Sequence, residues 1–210
     1  MAILAACILF AAGRAVGAPD ATIDVQRIAG SVAYGTNGTL APLRAKASLA
    51  PDAFVAAGPT GRAFVRYPDG SRVDVGSGTI VQVGAYAARD SGRPNVLELQ
   101  RGAIHFEVAH ADRTPANYII QTPAAQIAIR AARGFVISDD RETEIVSSVG
   151  ALSVATLNRT YAVRSGETLD LFTSSGRPPR VMRATTQPSA RIHRPEIDQF
   201  RTSAKPGAIR

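Results

Sequence analysis

Between Arg66 and Val83 the chain reads RYPDGSRVDVGSGTIVQV, and its apolar positions alternate with polar ones. Val73 and Val75 fall on one face of an extended segment, with Arg72 and Asp74 on the other. Ala63 to Tyr67 leads in, and Ile80, Val81 and Val83 follow. Two turn clusters punctuate the run, Pro68-Asp69-Gly70-Ser71 and Gly76-Ser77-Gly78. Pro presets φ, Asp accepts a hydrogen bond from its own backbone two residues on, and Gly takes positive φ without steric penalty. The prediction is strand, tight turn, strand, tight turn, strand.

The same rhythm extends in both directions. Ile23, Val25 and Ile28, then Val32 and Tyr34, predict one or two strands broken at Gly30. Residues 40–57 are less regular, and Pro42 and Pro51 leave room for one helical turn at most. Leu97 and Leu99 share a face, and Gly102 interrupts them. Ile104, Phe106 and Val108 then alternate with His105 and Glu107. Strand-sized runs follow at 118–122, at Ile127 and Ile129, at 134–137, and at Ile145 to Val149. Leu152 with Val154, Tyr161 with Val163, and Leu169 with Leu171 close the series. Runs about 8–12 residues apart, split by Gly, Asp or Pro, predict an all-β domain: sandwich, barrel or solenoid. No fixed repeat and no long amphipathic helix occurs, which argues against a regular β-helix array and a parallel βαβ sheet.

Charge changes the picture at the C-terminal end. The chain holds 24 Lys/Arg against 17 Asp/Glu, but residues 176–210 carry eight of the bases and only Glu196 and Asp198. The basic character therefore belongs to a tail. Its Pro-rich start at Gly176-Arg177-Pro178-Pro179 predicts disorder from residue 174 onward. Such a tail suits an anionic cell-wall polymer or lipopolysaccharide surface. Phe200 is its lone aromatic, which argues against nucleic acid as a partner.

At the other end, MAILAACILFAA is an apolar run too short to span a bilayer, which takes about 20 residues. Small residues 15–18 follow it, so residues 1–18 are expected to be a signal peptide and the mature protein periplasmic or secreted. Leu4-Ala5-Ala6-Cys7 has the letters of a lipidation box, yet apolar Ile8 to Phe10 follow where polar residues belong. Cys7 is the sole cysteine, so a processed chain has no thiol chemistry and no disulfide.

In this order, TGRAFVRYPDGSRVDVGSGTIVQV, LELQRGAIHFEVA and GALSV…YAVRSGETLDL resemble the FecR domain family over about residues 55–172. The positions that carry the resemblance are Asp69, Gly70, Ser71, Gly102, Phe106, Val108, Phe135, Gly150, Gly166 and Glu167. Two departures stand out: Ala131-Ala132 replaces the family's Gly-Thr, and Phe135 falls one residue late. The resemblance implies an all-β solenoid or roll of short strands over residues 58–173, with residues 19–57 as strands of the same domain. It implies a sensing and protein-contact module without cofactor, whose partner is another envelope protein. It also implies the extracytoplasmic domain in a stand-alone exported form, without the anti-sigma segment or membrane helix.

The residues offer little chemistry of their own. His105 and Glu107 share a strand face, with His110 and Asp112 just beyond. They could supply nitrogen and oxygen to a metal, or they could be the wet side of a strand whose other side is Phe106 and Val108. Further ligands at metal-site spacing are absent, so no metal site is expected. Ser71, Ser77 and Ser165 sit beside glycines but in no G-x-S-x-G elbow, so they are expected as turn serines and not nucleophiles. Asp139-Asp140, Glu142 and Glu144 cluster around one turn and are expected to be solvated. The remaining alternative is an enzyme acting on envelope polysaccharide through Glu107 and His105.

Overall fold

A computed structural model describes residues 22–36, 39–109, 117–173 and 177–183. Fifteen strands account for most of them. They are β1 (Ile23–Ala29), β2 (Val32–Thr36), β3 (Thr39–Pro42), β4 (Ser48–Leu49), β5 (Ala53–Ala57), β6 (Arg62–Arg66), β7 (Arg72–Val75) and β8 (Ile80–Val83). After a 3₁₀ turn at Arg89–Ser91 come β9 (Asn95–Glu107), β10 (Tyr118–Gln121), β11 (Gln126–Ser138) and β12 (Glu142–Ala155). The series ends with β13 (Thr160–Val163), β14 (Glu167–Phe172) and β15 (Arg180–Arg183).

Three strands are long enough to serve two layers. β9 pairs through Leu97–Arg101 with β8 and through Asn95–Glu98, in parallel, with β10. Beyond Gly102 it pairs with β7 on one side and with β11 on the other. The first half of β11 pairs with β10, and its second half with β9. β12 runs beside β11 throughout, then meets β14 with its first half and β13 with its last. One layer is thus β3, β2, β5, β8, β10 and β13 with one half of each long strand. The other is β4, β1, β6, β7, β14 and β15 with the remaining halves. The sheet folds over itself as a roll around a single core.

The hydrophobic pattern records the fold-over. In β9 the large buried apolar side chains are Leu97 and Leu99, odd positions, and then Ile104 and Phe106, even positions. In β11 Ile127 and Ile129 give way to Val136, and in β12 Ile145 gives way to Leu152 and Val154. A shift of one residue exchanges the faces of a strand, so each long strand needs an irregularity where it crosses between layers. β9 has Gly102 there, at φ 98°, and β12 has Gly150. β11 has two register shifts, between Ile129 and Ala132 and between Arg133 and Gly134. The Ala131-Ala132 departure therefore lies at the bend. Ala132 pairs with Gly150, whose missing side chain leaves it room.

These changes of phase hide continuity from a sequence reading. Residues 97–108 read as a run broken at Gly102, and 126–137 and 145–154 as pairs of short strands, yet each group is one bent strand. Residues 40–57 carry no helix and supply β3, β4 and β5. The tail boundary also moves. Arg180–Arg183 pairs with Glu167–Asp170, so the sheet reaches Arg183 rather than ending before residue 174. An edge strand is held by backbone bonds and needs no core side chains, and Pro178-Pro179 masked it. The chain beyond residue 183 and residues 1–21, with the expected signal peptide and Cys7, lie outside the described residues.

Thr79 braces the bend in β9. Its hydroxyl accepts from the Ala103 amide at 2.9 Å and donates to the Ala103 carbonyl at 3.0 Å, fully buried. Thr79→Val keeps the shape but strands that amide, and is expected to cost about 1–3 kcal/mol in denaturant unfolding.

Candidate functional site

The Asp69-Gly70-Ser71 turn joins β6 to β7 and is tied to two other parts of the roll. The Gly70 amide donates to the Tyr67 carbonyl at 3.0 Å, and the Tyr67 amide to the Ser71 carbonyl at 2.8 Å. Asp69 Oδ1 accepts from the Ser71 amide at 2.9 Å and from the Tyr118 hydroxyl, at the start of β10, at 3.0 Å. Ser71 Oγ donates to Asp69 Oδ2 at 3.1 Å and accepts from the Ala109 amide, just past β9, at 3.0 Å. Ser71 is buried. Its hydroxyl is committed on both sides, and neither partner is a histidine that could take its proton as a general base.

Aromatic rings close over the turn. Tyr67 meets Tyr118 edge to face, centroids 5.1 Å apart, and Tyr86 lies 6.4 Å from Tyr67. Burial, and then Asp69, push the Tyr67 phenol well above its ordinary range. Burial is also the main cause of the upward shift at Tyr118, where the Ser71 contact opposes it. Both phenols are therefore neutral, and Tyr118 serves as a hydrogen-bond donor. The arrangement fastens the β6–β7 turn to β9 and β10, and the buried Tyr67 hydroxyl beside it has no hydrogen-bond partner.

The other motif residues lie apart from this turn. Phe106 and Val108 are in the core, and the Val108 amide donates to the Ala132 carbonyl at 2.9 Å. Gly102 and Gly150 mark bends. Gly166 and Glu167 form the β13–β14 turn, where Glu167 Oε2 accepts from the Arg164 amide at 2.8 Å. Phe135 faces away from the core. It pairs with His105 across β9 and β11, with ring centroids 4.8 Å apart. The core position beside it is Gly134, where a side chain would collide with Val146 and Phe106. These residues shape the roll at separate corners.

On the face carrying His105 and Glu107, both side chains are engaged by residues of β7. His105 Nδ1 lies 3.2 Å from Asp74 Oδ2, and Glu107 Oε2 lies 2.9 Å from Arg72. Among the described residues no group of three or more His, Cys, Asp or Glu could hold a metal ion. His110 and Asp112 fall outside those residues. Ser165 Oγ donates to the Ser148 carbonyl at 3.0 Å, in a turn. Asp139 Oδ1 accepts from the Arg141 and Glu142 amides at 2.7 and 2.8 Å and so holds the β11–β12 turn.

Glu144 corrects the expectation of a solvated acidic loop. It lies in β12 directly opposite Asp170 of β14, and the two are only 4% and 7% exposed. Glu144 Oε2 and Asp170 Oδ1 are buried with no hydrogen-bond partner. Burial, then Asp170, then Glu142 push the Glu144 carboxyl up to about 7. Asp170 is also raised, chiefly by burial, with Arg180 acting against the shift. Each acid is flanked by inward residues, Thr143 and Ile145 or Leu169 and Leu171, a pattern that by itself points the acid away from the core. What the sequence lacks is the register that sets them face to face.

A folded-state value raised above the unfolded one stabilises the neutral acid. That contribution is whole below about 4.5 and is lost as pH rises toward about 7. Thermal melts should show Glu144→Gln more stable relative to the parent chain at pH 8 than at pH 5.

The FecR protein family model matches residues 53–153. Those residues are a FecR domain. The match runs from β5 to near the end of β12, and the strands on either side of it join the same sheet. Two crystal structures of a protein from Parabacteroides distasonis ATCC 8503, designated an anti-sigma factor, are similar in fold to this chain. The TM-scores are 0.53 and 0.54 at 16% and 17% identity, over 62% of this chain. The chain spans 59% of the length of those neighbours. No curated protein matches it in sequence. Among the described residues, no helix of the FecR domain or its flanks is long and apolar enough to cross a membrane.

Proposed function

We propose that this chain is a non-catalytic interaction and sensing module of the bacterial cell envelope, exported through residues 1–18 to the periplasm or beyond. The observation that carries the reading is the FecR domain match together with the closed bonding of Asp69, Ser71 and Tyr118, which turns its most polar motif into scaffold. Its partner is another envelope protein, in keeping with the regulatory designation of its structural neighbours. Immobilised full-length chain is expected to retain a protein from envelope extract that free chain displaces. Retention of no displaceable protein would overturn the reading.

The basic C-terminal segment favours a second reading, attachment to an anionic glycan or lipopolysaccharide. Ending the chain at Arg183 keeps β15 and removes five Lys/Arg and two acids. It is expected to abolish sedimentation with cell-wall or lipopolysaccharide preparations; unchanged sedimentation excludes this second reading.

A further inference from the structure

Glu144 and Asp170 stand at the end of the sheet. β15 pairs with β14 alone, β14 joins the roll through β12, and the two acids are direct partners in that pairing. The groups around them come from four strands. β12 adds Glu142, two residues from Glu144, and β15 sets Arg180 opposite Asp170. β11 faces Glu144 with Ile137, which carries no charge. Arg180 is exposed, and it compensates Asp170 only in part, since burial remains the larger influence there. Each acid keeps one buried oxygen without a hydrogen-bond donor.

Two ionised carboxylates cannot both be accommodated at such a place without cost. Like charges directly opposite in a sheet repel, and buried charge without a donor is unfavourable. A single proton held between them relieves both penalties, and the two acids then titrate as a pair. The alternative is to open the sheet and return both groups to water. β14 is anchored inward by Leu169 and Leu171, while β15 is largely exposed. An edge hairpin whose outer strand is largely exposed, and whose inner strand joins the rest of the sheet through β12 alone, opens at lower free energy than the whole domain.

We propose that Glu144 and Asp170 form a proton-binding site that clasps the β14–β15 hairpin to β12, closed while the pair holds a proton and loosened as it ionises. Opening releases that proton, so the open population rises about tenfold per pH unit while the acid is ionised in the open form and protonated in the closed one. For Glu144 that interval runs from 4.5 to about 7. This device does not depend on the identity of any envelope partner.

Hydrogen exchange on the full chain, corrected for the intrinsic rate at each pH, tests it. Protection of amides in 167–172 and 180–183 is expected to fall at least tenfold relative to β9 and β11 between pH 5 and 7.5. Glu144→Gln should flatten that dependence. A smaller fall in the parent chain, or the same fall in the variant, overturns the proposal. If Glu144→Gln does not fold, Asp170→Asn carries the same expectation. Carbon-detected titration of Glu144 in the parent chain supplies an independent check, with a midpoint near 7 expected and one below 5.5 contradicting the site.

Discussion

Gly102→Val is expected to leave the chain unfolded, or to remove at least about 3 kcal/mol of stability in denaturant titration. Two independent effects add at this residue. Its φ of 98° is a conformation that β-branched side chains rarely adopt. A Cβ there would also sit 2.5 Å from Thr79 Cα, against backbone that has no rotamer to yield. The damage spreads because β9 touches four strands, β7, β8, β10 and β11, and joins both layers. Thr79 cannot move away without abandoning its two bonds to Ala103. Gly102→Ala meets the same strain and overlap with a smaller group, and should fall between the two. A valine variant within about 1 kcal/mol of the parent would mean that the bend is not held as described.

Asp69→Ala is the second large effect, expected at about 2–4 kcal/mol. One carboxylate receives the Ser71 amide, the Ser71 hydroxyl and the Tyr118 hydroxyl. Its removal leaves buried donors on two elements far apart in sequence. The Ser71 hydroxyl would still accept from Ala109, so the turn would loosen before β9 did. Tyr118→Phe removes a single bond and keeps the ring against Tyr67, so a loss of about 1 kcal/mol is expected. The ordering of the two variants, read from midpoints at constant slope, checks the assignment.

The all-β class was legible because β7, β8 and the halves of β9 each alternate over several residues between Gly- or Asp-bearing turns. The Asp69-Gly70-Ser71 turn was legible because its residue types are fixed by local backbone geometry. The roll was not. Leu97 with Leu99 and Ile104 with Phe106 have opposite phase, and a phase change reads the same whether a strand stops or bends. The choice between those outcomes depends on Thr79 and on the strands that flank β9, which are remote in sequence. Tyr118 could not be linked to Asp69 for the same reason, since the two are 49 positions apart in sequence. Glu144 read as one of a solvated acid cluster, since an acid between apolar residues on a strand usually faces water. Only the β12–β14 register makes it a neighbour of Asp170, with β15 as the next strand. That edge strand was itself concealed by two prolines.

If the Asp69 turn belongs to the scaffold and binding lies elsewhere on the domain, the decisive quantity is the amount of envelope partner retained per folded molecule of Asp69→Ala, well below its melting midpoint. A lowered midpoint with retention equal to that of the parent chain is expected. An unchanged midpoint with retention lost would place the binding site at the turn and contradict the scaffold role of Asp69.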